Sequence, residues 1–139
     1  MNKHELLQEL YAMEEKPPRA ESPADIAAKL LPYKDERTET FVVFGTDNKN
    51  HIIATKEFKG TVDQAAIYPR EVFRFALLEQ ASGIILGHNH PGGDPIPSRQ
   101  DRDVTKQIIK GSKYIGLRVL DHVIIGRDGH YSFKEEGLL

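Results

Sequence analysis

Two of the six histidines in this 139-residue chain stand one residue apart, inside the stretch "GIILGHNHPGGDPIPSRQD" at residues 83–101. Side chains alternate between faces along a strand, so His88 and His90 point the same way and Asn89 the opposite way. Two imidazoles at the end of a buried strand present two nitrogen ligands to one ion. The loop "PGGDPIP" turns the chain back, and Ser98-Arg99-Gln100-Asp101 has the S-x-x-D form of a capped helix start. Asp101, in the first turn of that helix, adds an oxygen and completes a His-His-Asp set. A fourth tetrahedral position is left for water, as in catalytic zinc sites. Zinc so held lowers the pKa of its bound water toward about 7 and polarises a carbonyl.

A bare H-x-H arises often by chance, and its bland reading is a strand end with two satisfied imidazoles. The Pro/Gly loop and the S-x-x-D that follow make the pattern far more selective. Ser98 reads first as the helix N-cap. Three residues from a ligating Asp, its hydroxyl is also placed to hydrogen-bond the water or a developing oxyanion.

The elements around this stretch follow from pattern. The five apolar or small residues 83–87 are too short for a helix and read as a buried central strand ending near His90. "TETFVVFGTDNKNHIIATKEFKGT" reads as a β-hairpin, with strands over residues 38–45 and 51–58 around a polar turn. Pro69 opens a helix whose apolar stripe is Val72, Phe73, Ala76 and Leu77, while Val104, Ile108 and Ile109 continue the helix behind Ser98. Strands over 117–126 and 131–133, joined at Asp128-Gly129, close the chain. At the front, Leu6, Leu7, Leu10, Tyr11 and Met13 form an amphipathic helix that stops at Pro17 and Pro18. A second helix follows Ser22, with Pro23 in its first position and Ile26, Ala27, Leu30 and Leu31 on one face. The division expected is an N-terminal helical extension over 1–21 and one domain over 22–139.

Composition excludes several classes. Without cysteine there is no disulfide, no thiolate metal site and no cysteine nucleophile, which fits a reducing compartment. A net charge of -2 with 29% charged residues names no nucleic-acid or membrane partner. The leading "MNKHELLQELYAMEEK" is too acidic for a signal peptide, and no apolar run approaches the ~20 residues of a membrane span. A soluble cytoplasmic protein is expected.

The run H-x-H-x7-S-x2-D, formed by His88, His90, Ser98 and Asp101, resembles the metalloprotease signature of the JAB/MPN (JAMM) fold. With "YPREVFRFALLEQASGIILGHNHPGGDPIPSRQD", "DHVIIG" and the terminal "YSFKEEGLL", residues 22–139 look like the RadC-like branch, once labelled DNA-repair proteins. The resemblance implies a cytidine-deaminase-like α/β fold, a mixed and mainly antiparallel sheet flanked by helices. It implies Zn2+ on His88, His90 and Asp101, with Ser98 assisting the water or oxyanion. It further implies a zinc metalloprotease or isopeptidase acting on a protein or peptide. The branch usually reads H-N-H-P-S-G, where this chain has Pro91-Gly92-Gly93, a change outside the ligand set.

The family also uses an upstream glutamate as general base on a neighbouring strand. Glu57, near the end of the second hairpin strand, is the expected base. Family members often place the acid two residues earlier, where this chain has Thr55 on the same face. Glu71, at a helix start beside Arg70, reads instead as dipole support.

The second expectation is a DNA-repair-associated accessory protein with a structural or regulatory metal site. Longer members carry an N-terminal helix-hairpin-helix module, and residues 1–31, acidic or neutral for the most part, do not read as one. Arg102, Lys106, Lys110 and Lys113 form a basic stripe on one helix face, but with Asp103 beside it and no interleaved aromatics it reads as a solvated face. A phosphoesterase with the same ligands calls for a two-metal cluster and more carboxylates than flank this loop. His122, beside Asp121, offers itself as a fourth ligand or as a partner bonded to one, but an Asp-His step ahead of "VIIG" reads as a strand entry without a catalytic role.

Overall fold

The computed structural model describes residues 2–7, 19–60 and 67–139. Residues 3–7 are helical, while Leu10, Tyr11, Met13, Pro17 and Pro18 of the leading pattern fall outside the described residues. The helix Pro23–Leu30 (α1) begins with a full capping box. Ser22 Oγ accepts the Asp25 N–H at 3.2 Å, and the Asp25 carboxylate accepts the Ser22 N–H at 3.0 Å. A 3-10 turn, Leu31–Tyr33, ends this segment at Pro32.

Strands Thr40–Thr46 (β1) and Ile52–Lys59 (β2) form the hairpin, its turn tied by the Asp47 carboxylate, which accepts the N–H groups of Lys49 and His51 at 2.9 Å each. Helix Pro69–Leu78 (α2) leads into strand Gly83–Asn89 (β3). Helix Arg99–Ser112 (α3) then crosses to strand Arg118–Ile125 (β4), and His130–Ser132 (β5) closes the sheet. The strand order is β2-β1-β3-β4-β5. The β3–β4 pair is parallel, as a helical crossover requires, and the other three pairs are antiparallel.

Helices cover both faces, so β1 and β3 are buried at every residue. On one face Phe41, Val43, Ile84 and Leu86 pack with Val72, Phe75 and Ala76 of α2 and Ile108 of α3. On the other, Val42, Phe44 and Ile85 pack with Ile26 and Leu30 of α1. Each fully buried Leu or Ile there contributes about 1.5–3 kcal/mol. Gly87 lets α1 close on the sheet, because a Cβ there would stand 3.0 Å from both Leu30 methyl carbons.

One helix is rotated relative to the expected stripe. In α2 the buried residues are Val72, Phe75 and Ala76, whereas Leu77 is 58% exposed. Phe73 sits instead against α3, where Gly111 leaves room for its ring: a Cβ at Gly111 would be 2.7 Å from Phe73 Cζ. The helix thus packs on two partners at once, and its apolar arc is centred on Val72 and Ala76.

Candidate metal centre

The end of β3 is where the sheet opens toward α3. His88, fully buried, lies under Phe41 of β1 with ring centroids 5.5 Å apart and planes within 12°. His90 follows the strand, and its N–H donates to the Ile125 carbonyl of β4 at 2.9 Å. The loop behind it folds tightly: the Gly93 N–H donates to the His90 carbonyl at 2.9 Å, with Gly93 at φ 95°, where a side chain would be strained. His90 Nδ1 donates to the Asp94 carbonyl at 2.7 Å, which turns its Nε2 inward.

Helix α3 brings Asp101 to the same point. Its cap is reciprocal: Ser98 Oγ accepts the Asp101 N–H at 3.1 Å, and Asp101 Oδ2 accepts the Ser98 N–H at 2.9 Å. Asp101 Oδ2 lies 3.0 Å from His90 Nε2, and Oδ1 lies 3.3 Å from His88 Nε2. The two Nε2 atoms are 2.9 Å apart. One donor atom from each of His88, His90 and Asp101 falls within 4.8 Å of the other two, a group able to hold a metal ion. Two imidazole nitrogens and a carboxylate suit a divalent first-row transition ion.

The electrostatics agree with a cation at this point. Burial pushes the His88 imidazole down, and it carries His122 well below its ordinary value, so both favour the neutral form. Burial works against charge on His90 too, but the Asp101 carboxylate and the Asp94 carbonyl outweigh it and raise its pKa. Burial would raise Asp101, yet the bonds from His88, His90 and the Ser98 backbone hold its carboxyl well below the usual range. A carboxylate thus stays ionised between two rings whose inward nitrogens converge on it.

Glu57 is not brought to this group. It pairs with Val42 across the hairpin, while the neighbouring Phe41 pairs with His88, so Glu57 and His88 lie on opposite faces of the sheet. Its carboxylate accepts the Tyr33 hydroxyl and lies 3.6 Å from Lys59 Nζ. The carboxylate that does reach the site is Glu39, just ahead of β1, with Oε1 4.0 Å from His90 Nε2 and a side chain only 12% exposed. It shares a face with Phe41, two residues on. That signal was available by counting alternate residues, once the strand was known to run beside β3.

Asn89 fixes the segment around Glu39 from the opposite face. Fully buried, it accepts the Thr40 N–H at 2.7 Å and donates to the carbonyls of Thr38 at 3.0 Å and Tyr33 at 2.9 Å. Both peptide neighbours of Glu39 are thereby held. His122 is more than a strand residue: its ring is 2.8 Å from His88 Nδ1 and 2.7 Å from Thr105 Oγ1. Asp121 beside it turns away and accepts from Ser132 and the Lys134 N–H. Glu71 stands in the first turn of α2 as expected; Arg102, Lys106 and Lys110 are exposed on α3, and Lys113 is exposed at the start of the 3-10 turn Lys113–Ile115 that follows it.

Among the described residues no helix is long and apolar enough to cross a membrane. A family model described as a RadC-like JAB domain matches residues 20–138. The chain is 39% identical over 138 residues to a UPF0758 protein of Methanosarcina acetivorans, covering 97% of this chain and 60% of the relative. It is 43% identical over 102 residues to UPF0758 protein STH371 of Symbiobacterium thermophilum, covering 73% and 44%. A UPF0758 protein of Trichlorobacter lovleyi is 42% identical over 107 residues, covering 76% and 46%. The chain therefore spans about 60% or less of the length of these relatives. With the family model matched across nearly its whole length and the His-His-Asp group at the end of β3, this chain belongs to the RadC-like JAB domain family.

Proposed function

We propose that this domain is a zinc metallohydrolase that cleaves a peptide or isopeptide bond. The observation that carries the reading is the convergence of His88, His90 and Asp101, with Glu39 4.0 Å from His90 Nε2. Zinc fits the donor set, and when bound it supplies a Lewis acid for the scissile carbonyl and an acidified water. His88, His90 and Asp101 are the residues that would hold it.

The rest of the chemistry belongs to the chain. Glu39, replacing Glu57 as the base, takes a proton from the attacking water and delivers it to the leaving amine. Its position on the His88 face, with Asn89 gripping the peptide groups on either side, aims the carboxylate without needing a mobile loop. Ser98 both caps α3 and serves the reaction. Its oxygen accepts the Asp101 N–H, which leaves the hydroxyl hydrogen to donate to the oxyanion as the carbonyl becomes tetrahedral.

Metal analysis of the purified chain, combined with cleavage assays on peptide and isopeptide-linked substrates with and without a chelator, tests the proposal. The expected result is one zinc per chain and cleavage that a chelator stops and zinc restores. A chain that cannot be loaded with zinc would overturn it. So would cleavage indifferent to the metal.

A further inference from the structure

His122 lies outside the three-ligand group, yet it is fully buried and uses both ring nitrogens. Nε2 stands 2.8 Å from His88 Nδ1, and Nδ1 stands 2.7 Å from Thr105 Oγ1. Thr105 Oγ1 is also 2.7 Å from the backbone carbonyl of Asp101. A carbonyl only accepts, so the Thr105 hydroxyl hydrogen is committed to Asp101, and its oxygen must accept from His122. His122 is thereby protonated on Nδ1. Buried between neutral partners, the ring carries one proton, so its Nε2 is an acceptor. The proton in the bond to His88 must then sit on His88 Nδ1. That reserves His88 Nε2, which faces His90 and Asp101, for the metal.

We infer that Thr105 and His122 form a tautomer lock that holds a His88 N–H on Nδ1 and so reserves Nε2 for the metal. The inference rests on the reading of His88, His90 and Asp101 as a zinc site. The lock starts on the backbone of one ligand, Asp101, passes through α3 and β4, and ends on the ring of another, His88. Metal-binding histidines generally donate their second N–H to a carboxylate, carbonyl or water. Here the acceptor is a second imidazole, itself oriented by a hydroxyl that only one hydrogen-bond direction satisfies. His90 reaches the same state by a shorter route, through the Asp94 carbonyl. Packing alone does not require this chemistry: His122 stacks on Phe133 with ring centroids 4.5 Å apart, a contact that any flat ring would make.

The test uses the whole chain and separates the hydroxyl from its volume. Thr105→Val keeps the shape and removes the lock, while Thr105→Ser keeps the hydroxyl. Zinc affinity, measured by chelator competition, is expected to fall about 10–100-fold in Thr105→Val and to stay near wild type in Thr105→Ser. The visible spectrum of the cobalt-substituted protein should shift in the first variant and not in the second. Heteronuclear NMR of the imidazole nitrogens in metal-free wild type gives an independent reading, with His88 and His122 both carrying the proton on Nδ1. Wild-type zinc affinity in Thr105→Val, or a His88 Nδ1 that carries no proton, would overturn the lock and leave the metal site standing. Wild-type chain that takes up no zinc would overturn both.

Discussion

Glu39, in the lead-in to β1, and Glu57, on β2, are the same residue type in one hairpin, and the structure gives them opposite surroundings. Glu39 lies on the His88 face, mostly covered, 4.0 Å from His90 Nε2. Glu57 lies on the other face, half open to solvent, bonded to Tyr33 and close to Lys59. Local pattern puts each on or beside a strand, and that does not decide between them. What decides is the pairing of Phe41 with His88 across the β1–β3 seam, because period-two alternation then sends odd residues of β1 and its lead-in toward the face of His88 and His90. A candidate base is therefore identified by sheet register, and a shift of one residue would exchange the two roles.

The largest test of this contrast is Glu39→Gln. It should lower turnover by about 10²–10⁴-fold while zinc remains bound, since a general base is removed and no ligand is touched. Metal analysis and steady-state kinetics on one preparation read both effects, and undiminished turnover would return the base to another carboxylate.

Next in size is Asn89→Ala, which leaves the Thr40 N–H and the carbonyls of Thr38 and Tyr33 without their buried partner. At about 1–3 kcal/mol for each unsatisfied group, urea unfolding should show at least about 3 kcal/mol of lost stability. Turnover should fall with zinc affinity retained, because the segment carrying Glu39 loses its anchor and the ligands keep theirs.

Glu57→Gln should leave turnover unchanged and cost about 1 kcal/mol or less in the same unfolding measurement, as a half-exposed pair does. The finest probe is Tyr33 itself. Burial and the Glu57 carboxylate push its phenol from 10.0 up to about 12. A phenol raised in the folded state stabilises the fold fully below pH 10 and loses that contribution as pH rises toward 12. Ultraviolet titration should show Tyr33 ionising late, and Glu57→Gln should draw it down toward its ordinary value without reaching it, since burial remains.

What could be read from the chain was what neighbouring residues encode together. The apolar run of β3, the alternation that aligns His88 with His90, and the Ser98–Asp101 capping box are all local, and the three residues do meet. The hairpin, both capped helices and the closing strands were legible for the same reason. The groups that local pattern does not reveal depend on contacts distant in sequence. Glu39 needs the antiparallel β1–β3 register, His122 needs the parallel β3–β4 pairing, and Thr105 matters only because α3 packs over β4. Leu77 was misplaced for a related reason, since Phe73 finds its partner at Gly111 on another helix.

The proposed zinc site at the end of β3, on His88, His90 and Asp101 and facing Glu39, can be read by anomalous diffraction at the zinc edge from a zinc-soaked crystal. A single strong peak bonded to both Nε2 atoms and an Asp101 carboxylate oxygen is expected, with Glu39 on the open side and Glu57 across the sheet. A peak placed elsewhere, or a metal at this point ligated by His122 or approached by Glu57, would contradict it.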